Sequence, residues 1–533
     1  MLHFTIALII GILLGNELAE HWHYCPSDAS IWIIWGIMSI WTISMFIIFY
    51  YQSQVKSLIY RIQSRLFGIA TFMFFLCLGL FVTIYSYRQI NEVNLGIDGK
   101  KYITGTVITS LQSHSKTWST TLRTENNGRI LCYLAKKDSI NCNIGDSIIL
   151  YAPYGAEAIL NNYSDTTQYH EYHRYLLYHG INATCYAYDY FIQQTTCTDY
   201  SPQAIQTTLH KWYQDSGING KEGAVIEAMT TGNKSTLSKE LKSQYAQAGA
   251  SHVLALSGFH LTIIFSLIQY LFMGRWLPDG WRYNKRGLRW ITDTITILTL
   301  WTYVYISAAP LSLIRAAIMC TIMLICKYFQ QNVLSLNSLV IAAFSILLAS
   351  PLSIYDVGFQ LSFLSMLGIC LFGNRLKILT SFSKKDSRLI RLLKKIINSM
   401  IGVIWISLIC TVFTMPFTSY YFGQISLVGI PCNICISLIA TSIMWMSATW
   451  WAAWLIGISP STCGLTHALL ALGGWLNGVT EFFSSLPYAV LDIQLNSLGV
   501  SCWMLIVFLL FYMWDFVEGR GRVTFSQFSF LFG

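Results

Sequence analysis

The sequence predicts an α-helical polytopic membrane protein, with about ten to twelve spans and one small β domain on the extracytoplasmic side. Composition is the first observation behind this prediction, because 54% of the 533 residues are hydrophobic and only 11% are charged. Soluble proteins carry about 25% charged residues, so this chain falls outside that class. The second observation is the pattern of loops, since Lys and Arg residues gather in every other loop between apolar runs.

Residues 1–87 are predicted to form N-terminal transmembrane helices. Apolar runs occupy residues 1–14, 31–50 and 66–84. The first run has no basic start and no small-residue cleavage pattern after it, which favours a retained span over a signal peptide. The loop at 51–65 is basic, and cytoplasmic loops are enriched in Lys and Arg. We therefore expect this loop inside and the segment after residue 84 outside.

Residues 88–205 are polar and contain short β-branched runs broken by turn residues. This pattern is typical of a small β domain. Strands are predicted at Tyr102–Thr109, Arg129–Leu134, Asp146–Tyr151 and Ala183–Ile192, with a helix at Tyr169–His179. Several strands with a single helix suit the five-stranded OB arrangement, so we predict an extracytoplasmic OB-like domain.

Four of the 14 cysteines fall in this insert, and most of the others lie in apolar runs. Disulfides can form in an oxidising compartment outside the cytoplasm. The expected pairs are Cys132–Cys142 and Cys185–Cys197. A Cys-x-x-Cys at 432–435 lies between a proline and an apolar helix, so we predict no metal site and no cofactor there or elsewhere.

Three segments complete the predicted domain organisation. Residues 206–256 form amphipathic helices that lead into the bundle, 257–515 form a transmembrane domain, and 516–533 form a cytoplasmic tail. With the insert outside, each large basic loop falls inside, which also accounts for much of the net charge of +9. Alternatively, the excess of positive charge serves to bind a partner with a phosphate backbone.

Polar residues cluster at the start of one apolar span, in Ser251–Leu261. Ionisable groups at membrane depth usually face a cavity or a partner, so His252, Ser257 and His260 are candidates for the lining of a polar path. A helix N-cap explains the same residues equally well. A Ser257–His260 nucleophile pair is a third interpretation, but no nearby carboxylate completes it.

Three further polar residues lie on apolar segments. Arg315 follows Pro310 near the start of a span and either faces the bundle interior or extends to the interface. Asp356 and Gln360 share one helical stripe with Phe363, although an Asp at a helix start is also an ordinary N-cap. We expect Arg315 to contact an anion and Asp356 to hold Arg315 or a backbone amide.

These runs, taken in order, resemble the ComEC family of DNA internalisation proteins over residues 25–515. The likeness is carried by Glu171–Leu176 with Gly180–Ala183, Ala224–Thr230 with Gly232-Asn233, His252–His260, Ser312 with Arg315-Ala316, and Asp356–Phe363. Glu171 and Ser350 stand where the family has Asp. Each motif alone is moderately specific to the family, and the occurrence of all of them in this order makes the resemblance strong.

The resemblance implies a non-enzymatic channel that carries single-stranded DNA across the bacterial cytoplasmic membrane during natural competence. Its insert would bind the strand on aromatic and basic side chains. No His-x-His-x-Asp-His run and no Walker A motif occurs in the sequence. A nuclease, a helicase or ATPase and an outer DNA receptor are therefore expected as separate chains, with membrane lipid and a second copy of this chain as further partners.

Two other functions remain open at this point. A small-solute transporter would use the same polar cavity. An intramembrane hydrolase would use Ser257 and His260. A wide basic channel with salt-dependent strand binding favours DNA, whereas a narrow closed site favours a solute.

Overall fold

The computed structural model describes most of the chain. The described residues are 2–21, 59–91, 102–109, 111–113, 116–124, 128–136, 142, 145–151, 154–158, 176–177, 180–193, 202–273, 285–328, 335–373, 388–457 and 464–517, with single positions at 36, 40, 41, 44 and 47. They divide into two compact units. The first comprises 1–199 with 340–356, and the second comprises 200–339 with 357–533.

The membrane class is supported by the described helices. Four of them contain segments long and apolar enough to cross a membrane: Leu2–Ala19, Gly68–Gln89, Ile396–Phe422 and Gly429–Trp454. Four shorter apolar helices are Gly258–Tyr270, Leu336–Ala349, Val357–Phe372 and Ser497–Leu510. The second predicted span, at 31–50, lies mostly outside the described residues, and the count of ten to twelve spans stays a prediction.

Two N-terminal helices, α1 (Leu2–His21) and α2 (Ile59–Asn91), pack closely in the first unit. A Cβ at Gly79 would overlap the carbonyl oxygen of Leu8, and one at Gly11 would overlap that of Leu76. Glycine lets two helix backbones approach in this way, as in membrane helix pairs generally. The Tyr87 hydroxyl also donates to Asn16 Oδ1 at 2.6 Å, which ties the helix ends together.

Eight strands form one sheet in the insert. They are β1 (Tyr102–Val107), β2 (Gln112–Ser113), β3 (Thr117–Thr124), β4 (Arg129–Ala135), β5 (Ser147–Tyr151), β6 (Tyr154–Ala158), β7 (Ala183–Ala187) and β8 (Asp189–Gln193). Their order is β6-β7-β4-β3-β1-β5-β8, with β2 beside β3. Strand β7 runs parallel to β4, and β8 continues from it to pair with β5. The bent segment that forms β7 and β8 therefore pairs with both ends of the row β4-β3-β1-β5.

The four predicted strands are present, although 183–192 is divided into β7 and β8, and β2, β3 and β6 were not predicted. The longest of these missed strands is β3. Its sequence is rich in Thr and Ser and lacks an apolar alternation. Thr120 and Thr121 are nonetheless buried. The hydroxyl of Thr120 donates to the Thr109 carbonyl at 2.7 Å, and the Thr121 amide donates to Thr109 Oγ1 at 2.8 Å. The buried hydroxyl of Thr120 is tolerated here because it has a partner. The predicted helix at 169–179 lies outside the described residues except for 176–177.

The cysteine neighbours differ from the expected pairs. Parallel pairing of β4 and β7 sets Cys132 opposite Cys185, and their Sγ atoms lie 3.1 Å apart in the core of the insert. Burial and the neighbouring thiol raise the pKa of Cys132. The structure thus brings Cys185, rather than Cys142, next to Cys132. Cys197 lies outside the described residues, so a pair that includes it stays a prediction.

The second unit is helical. Its helices are α3 (Pro202–Asp215), α4 (Gly220–Thr231), α5 (Lys239–Gln247), α6 (Ser251–Leu254), α7 (Gly258–Met273), α8 (Lys285–Ile306), α9 (Leu311–Tyr328), α11 (Val357–Phe372), α12 (Arg388–Phe422), α13 (Gly429–Leu455), α14 (Leu465–Ser484) and α15 (Ser497–Val517). Helix α10 (Ser335–Ala349) runs from this unit into the first. Strands β9 (Gln424–Ser426) and β10 (Val490–Asp492) form a small antiparallel pair.

The segment predicted to lead into the bundle contributes its main core. Residues 223–231 of α4 are all buried, and they pack with α3, α5, α13 and α14. Tyr213 stacks on Trp450 with ring centroids 5.3 Å apart, and Tyr245 donates to Asn477 Oδ1 at 2.9 Å. Helices α3 to α5 are therefore built into the helical unit rather than appended to it.

A hydrogen bond between a half-buried histidine and a buried carboxylate joins α3 to α4. Glu227, only 3% exposed, lies 2.8 Å from His210 Nδ1 and accepts a hydrogen bond from Asn233 Nδ2 at 2.7 Å. The Thr236 hydroxyl is 3.4 Å from the same carboxylate. The hydrogen bond to Glu227 raises the pKa of His210 above 6.5, with a smaller opposing effect of desolvation.

This raised pKa makes the stability of the helical unit depend on pH. A folded-state pKa above the unfolded value contributes stability that is complete below about pH 6.5 and is lost as pH rises through the folded value. We expect the midpoint of thermal unfolding in detergent to fall between about pH 6 and about pH 8. In His210→Gln, which keeps a hydrogen-bond donor but cannot titrate, that part of the fall should vanish. An identical pH profile in the variant would contradict the assignment.

Candidate functional site

The candidate site begins where α7 starts. Residues 255–257 are non-helical, and Ser257 directly precedes α7, so His260 is the third residue of that helix. Ser257 N donates to His260 Nδ1 at 3.2 Å, and Ser257 Oγ lies 3.2 Å from the same nitrogen. The side chain of residue 260 thus accepts the Ser257 N–H as Glu or Gln does in a capping box, whereas Ser257 Oγ approaches the imidazole and not a backbone N–H. These two contacts fix the imidazole, and the predicted N-cap role of the Ser257 hydroxyl stays a prediction.

Helix α9 presents the second residue of the site. Its start is set by a turn at 307–310, in which Ala308 and Ala309 adopt left-handed φ angles of 57° and 51°. Such angles cost non-glycine residues about 1–3 kcal/mol each, so the surrounding packing holds them. Ser312 Oγ then donates to the Leu256 carbonyl at 2.6 Å and fastens α9 to the residues just before α7.

Arg315 lies on the first turns of α9 and points into the unit. Its side chain is 5% exposed, and Nε and Nη1 have no hydrogen-bond partner among the residues that the structure describes. The guanidinium carbon lies 5.4 Å from the ring centroid of Phe363 on α11, within the range of a cation–π contact. Nη2 lies 4.0 Å from where a Cβ on Gly258 would be. The guanidinium therefore lies at van der Waals distance from the start of α7, and the tighter neighbour of a Cβ at 258 would be Ala316 Cβ at 3.3 Å.

The two histidines differ in their surroundings. His260 is 1% exposed, and its Nε2 has no partner within the described part of the chain. His252 lies on the short helix α6 with an exposed side chain. The two rings interact electrostatically, so both belong to one region of the helical unit.

The last two predicted residues have different outcomes. Gln360 lies on α11 one turn before Phe363 and accepts a hydrogen bond from the Tyr421 hydroxyl at 3.0 Å. Asp356 falls in the first compact unit, directly before α11, at the position of an N-cap. Its expected contact with Arg315 stays a prediction. The helical unit therefore brings together Ser257, His260 and Arg315, with Gln360 beside the aromatic ring that Arg315 contacts.

The chemistry of this cluster is that of hydrogen-bond donation. The unpartnered buried atoms are nitrogens of Arg315 and His260, and no group of three metal-ligating side chains occurs among the described residues. Leaving a buried donor unpaired costs about 1–3 kcal/mol, so such groups are satisfied by water or by a ligand with acceptor atoms. The Ser257–His260 pair also lacks an orienting carboxylate at Nε2 in the described structure, which leaves a helix cap rather than a nucleophile and its base.

Comparison with known proteins gives the family. Residues 229–517 match the family model described as Competence protein, which is more than half of the chain. The chain belongs to the ComEC family of competence proteins. A ComEC-type relative, ComE operon protein 3 of Bacillus subtilis (strain 168), is 24% identical over 210 residues. The alignment covers 39% of this chain and only 24% of that relative. No solved structure matches the chain.

In this ComEC-family chain, sequence reasoning did not foresee that Arg315 approaches Gly258. Gly258 stands within the run His252–His260 that carried the resemblance, and Arg315 Nη2 lies 4.0 Å from its Cβ position. Phe363 was placed on the stripe of Gln360, but its contact with the guanidinium could not be foreseen. Nothing local in the sequence specifies either contact.

Proposed function

We propose that this ComEC-family chain forms the channel through which a single strand of DNA crosses the cytoplasmic membrane. The observation that carries the proposal is Arg315, a buried cation on an apolar helix with two unpartnered nitrogens. An isolated charge is costly at membrane depth and marks a substrate path. Arg is suited to phosphate because its donors are arranged in a planar fork. A passing phosphodiester would supply the missing charge and acceptors.

The insert supports the proposal as an OB-like domain. Strands β1, β3 and β4 form an antiparallel meander, β7 is parallel to β4, and β5 lies on the other side of β1. The continuation of β7 into β8 pairs with β5 and brings the two ends of the sheet together. This order and bent closing strand support the proposed OB-like barrel, an architecture that binds oligonucleotides.

The outer face of this sheet carries exposed aromatic rings. Tyr102 and Tyr151 are cross-strand neighbours, exposed by 58% and 48%. Tyr186, exposed by 49%, stacks on Tyr133 with ring centroids 4.9 Å apart. Aromatic rings on such a surface stack with bases of any sequence. Trp118 differs from these tyrosines, because it packs against the core of the insert and Lys136 lies over its ring.

A basic pair completes this face. Arg123 and Arg129 are exposed and lie opposite one another on β3 and β4. Two like charges directly opposite repel each other, and a bound phosphate backbone would relieve that repulsion. We place the insert on the extracytoplasmic side of the inner membrane, with an outer receptor, a helicase or ATPase and a nuclease as separate chains. A second copy of the channel chain is a further candidate partner.

The proposal is tested in a naturally transformable host that lacks its own ComEC-family gene. Cells that carry this chain should move labelled DNA into a DNase-protected cytoplasmic pool, whereas cells with the empty vector should bind label only at the surface. Equal protected label in both strains would reject a channel role and favour a small-solute transporter. Uptake that falls steeply with ionic strength is also expected if phosphate contacts dominate.

A further inference from the structure

The His260 imidazole is held in one chemical form by the start of its own helix. The spacing Ser257-x-x-His260 puts the ring at the position where Glu or Gln closes a capping box. The backbone N–H of Ser257 lies 3.2 Å from Nδ1. A backbone N–H can only donate, so Nδ1 must be the acceptor.

This hydrogen bond decides the tautomer. In a neutral imidazole one nitrogen accepts and the other carries the proton, so an accepting Nδ1 places the proton on Nε2. A cationic ring would direct an Nδ1–H at the Ser257 N–H, which the observed geometry does not allow. The Nε2–H is therefore a neutral donor, buried and without a partner among the described residues.

We propose that His260 donates from Nε2 to a phosphate oxygen of the passing strand, and that Ser257 is the positioning residue that holds this tautomer. The inference rests on the proposed channel function and adds to it the chemical group of DNA that the site contacts, which is the phosphate. The unpartnered nitrogens of Arg315 and His260 are donors, and Arg315 Nη2 lies 4.0 Å from the Cβ position of Gly258, two residues before His260 on α7. A site of donors alone selects an anion, so the contact is to the backbone phosphate and is independent of base sequence.

Two substitutions at residue 260 separate this role from helix capping. Glu and Gln are both capping-box residues, and each can accept the Ser257 N–H. His260→Gln also keeps an N–H donor directed away from the cap. His260→Glu replaces that donor with a carboxylate, which repels phosphate and can pair with Arg315. We expect His260→Gln to retain most of the uptake with an unchanged thermal unfolding midpoint in detergent, and His260→Glu to lose at least about tenfold of the uptake without a lower midpoint.

Measuring uptake by Arg315→Met in the same host distinguishes failure of the histidine contact from failure of the proposed channel. Equal uptake by His260→Glu and His260→Gln would overturn the inference and leave residue 260 as a cap alone. Loss of uptake in His260→Gln with unchanged unfolding would also overturn it, because a neutral donor would then not suffice. If Arg315→Met takes up DNA normally, the proposed path itself fails. If Arg315→Met fails while His260→Glu works, the path stands and only the histidine contact is rejected.

Discussion

Arg315→Met is expected to abolish most DNA uptake while making the protein more stable. Replacing a buried unpaired cation with an apolar side chain of similar length removes a desolvation penalty that amounts to several kcal/mol for a buried ion. The same change removes the charge-assisted hydrogen bonds to the strand, worth about 1.5–3 kcal/mol each. We expect cytoplasmic label to fall at least about tenfold and the thermal unfolding midpoint in detergent to rise.

The pairing of these two effects distinguishes a functional residue from a structural one. A structural Arg315 would lower stability when replaced, and uptake would follow stability downwards. Lys327→Met provides the matched control, since this residue is an exposed cation at the other end of α9. It should leave uptake unchanged. Arg315→Lys should fall between wild type and Arg315→Met, because the ammonium keeps the charge but lacks the planar fork.

Gly79→Ala should disrupt the N-terminal helix pair. The new methyl group would overlap the Leu8 carbonyl oxygen, and a backbone atom cannot rotate away as a side chain can. Helices α1 and α2 would have to separate, with a loss of about 1–3 kcal/mol from overpacking. The thermal unfolding midpoint and the amount of protein that accumulates in the membrane should both fall.

Gly68→Ala on the same helix is the control for this substitution. Nothing lies within 4 Å of a Cβ at that position, so the methyl group meets open space. Alanine is also the better helix former, by about 1 kcal/mol. Stability should therefore hold or rise. If both variants behaved alike, the loss at Gly79 would reflect helix chemistry in general rather than the close contact of α1 with α2.

Much of the architecture could be predicted because its signals are local. The membrane class follows from composition, and the four strands first predicted follow from β-branched runs between turns. Strand β3 was not predicted because its buried Thr120 hydroxyl and Thr121 amide are satisfied by Thr109, a partner that the sequence of β3 alone does not reveal. The contact of Cys132 with Cys185 depends on parallel pairing across 53 residues, which spacing cannot predict.

For the candidate site, the sequence by itself determined which side chains are unusual. A polar residue on an apolar run is visible in the sequence, and Ser257, His260 and Arg315 were found in that way. Only the tertiary structure decided what those residues are able to do. Whether a donor is buried, and whether any acceptor reaches it, depends on atoms from α9 and α11 that lie far from α7 in the chain. The anion selectivity that we propose for the site would therefore be a property of helix packing, because a donor is unsatisfied only when no surrounding atom accepts from it.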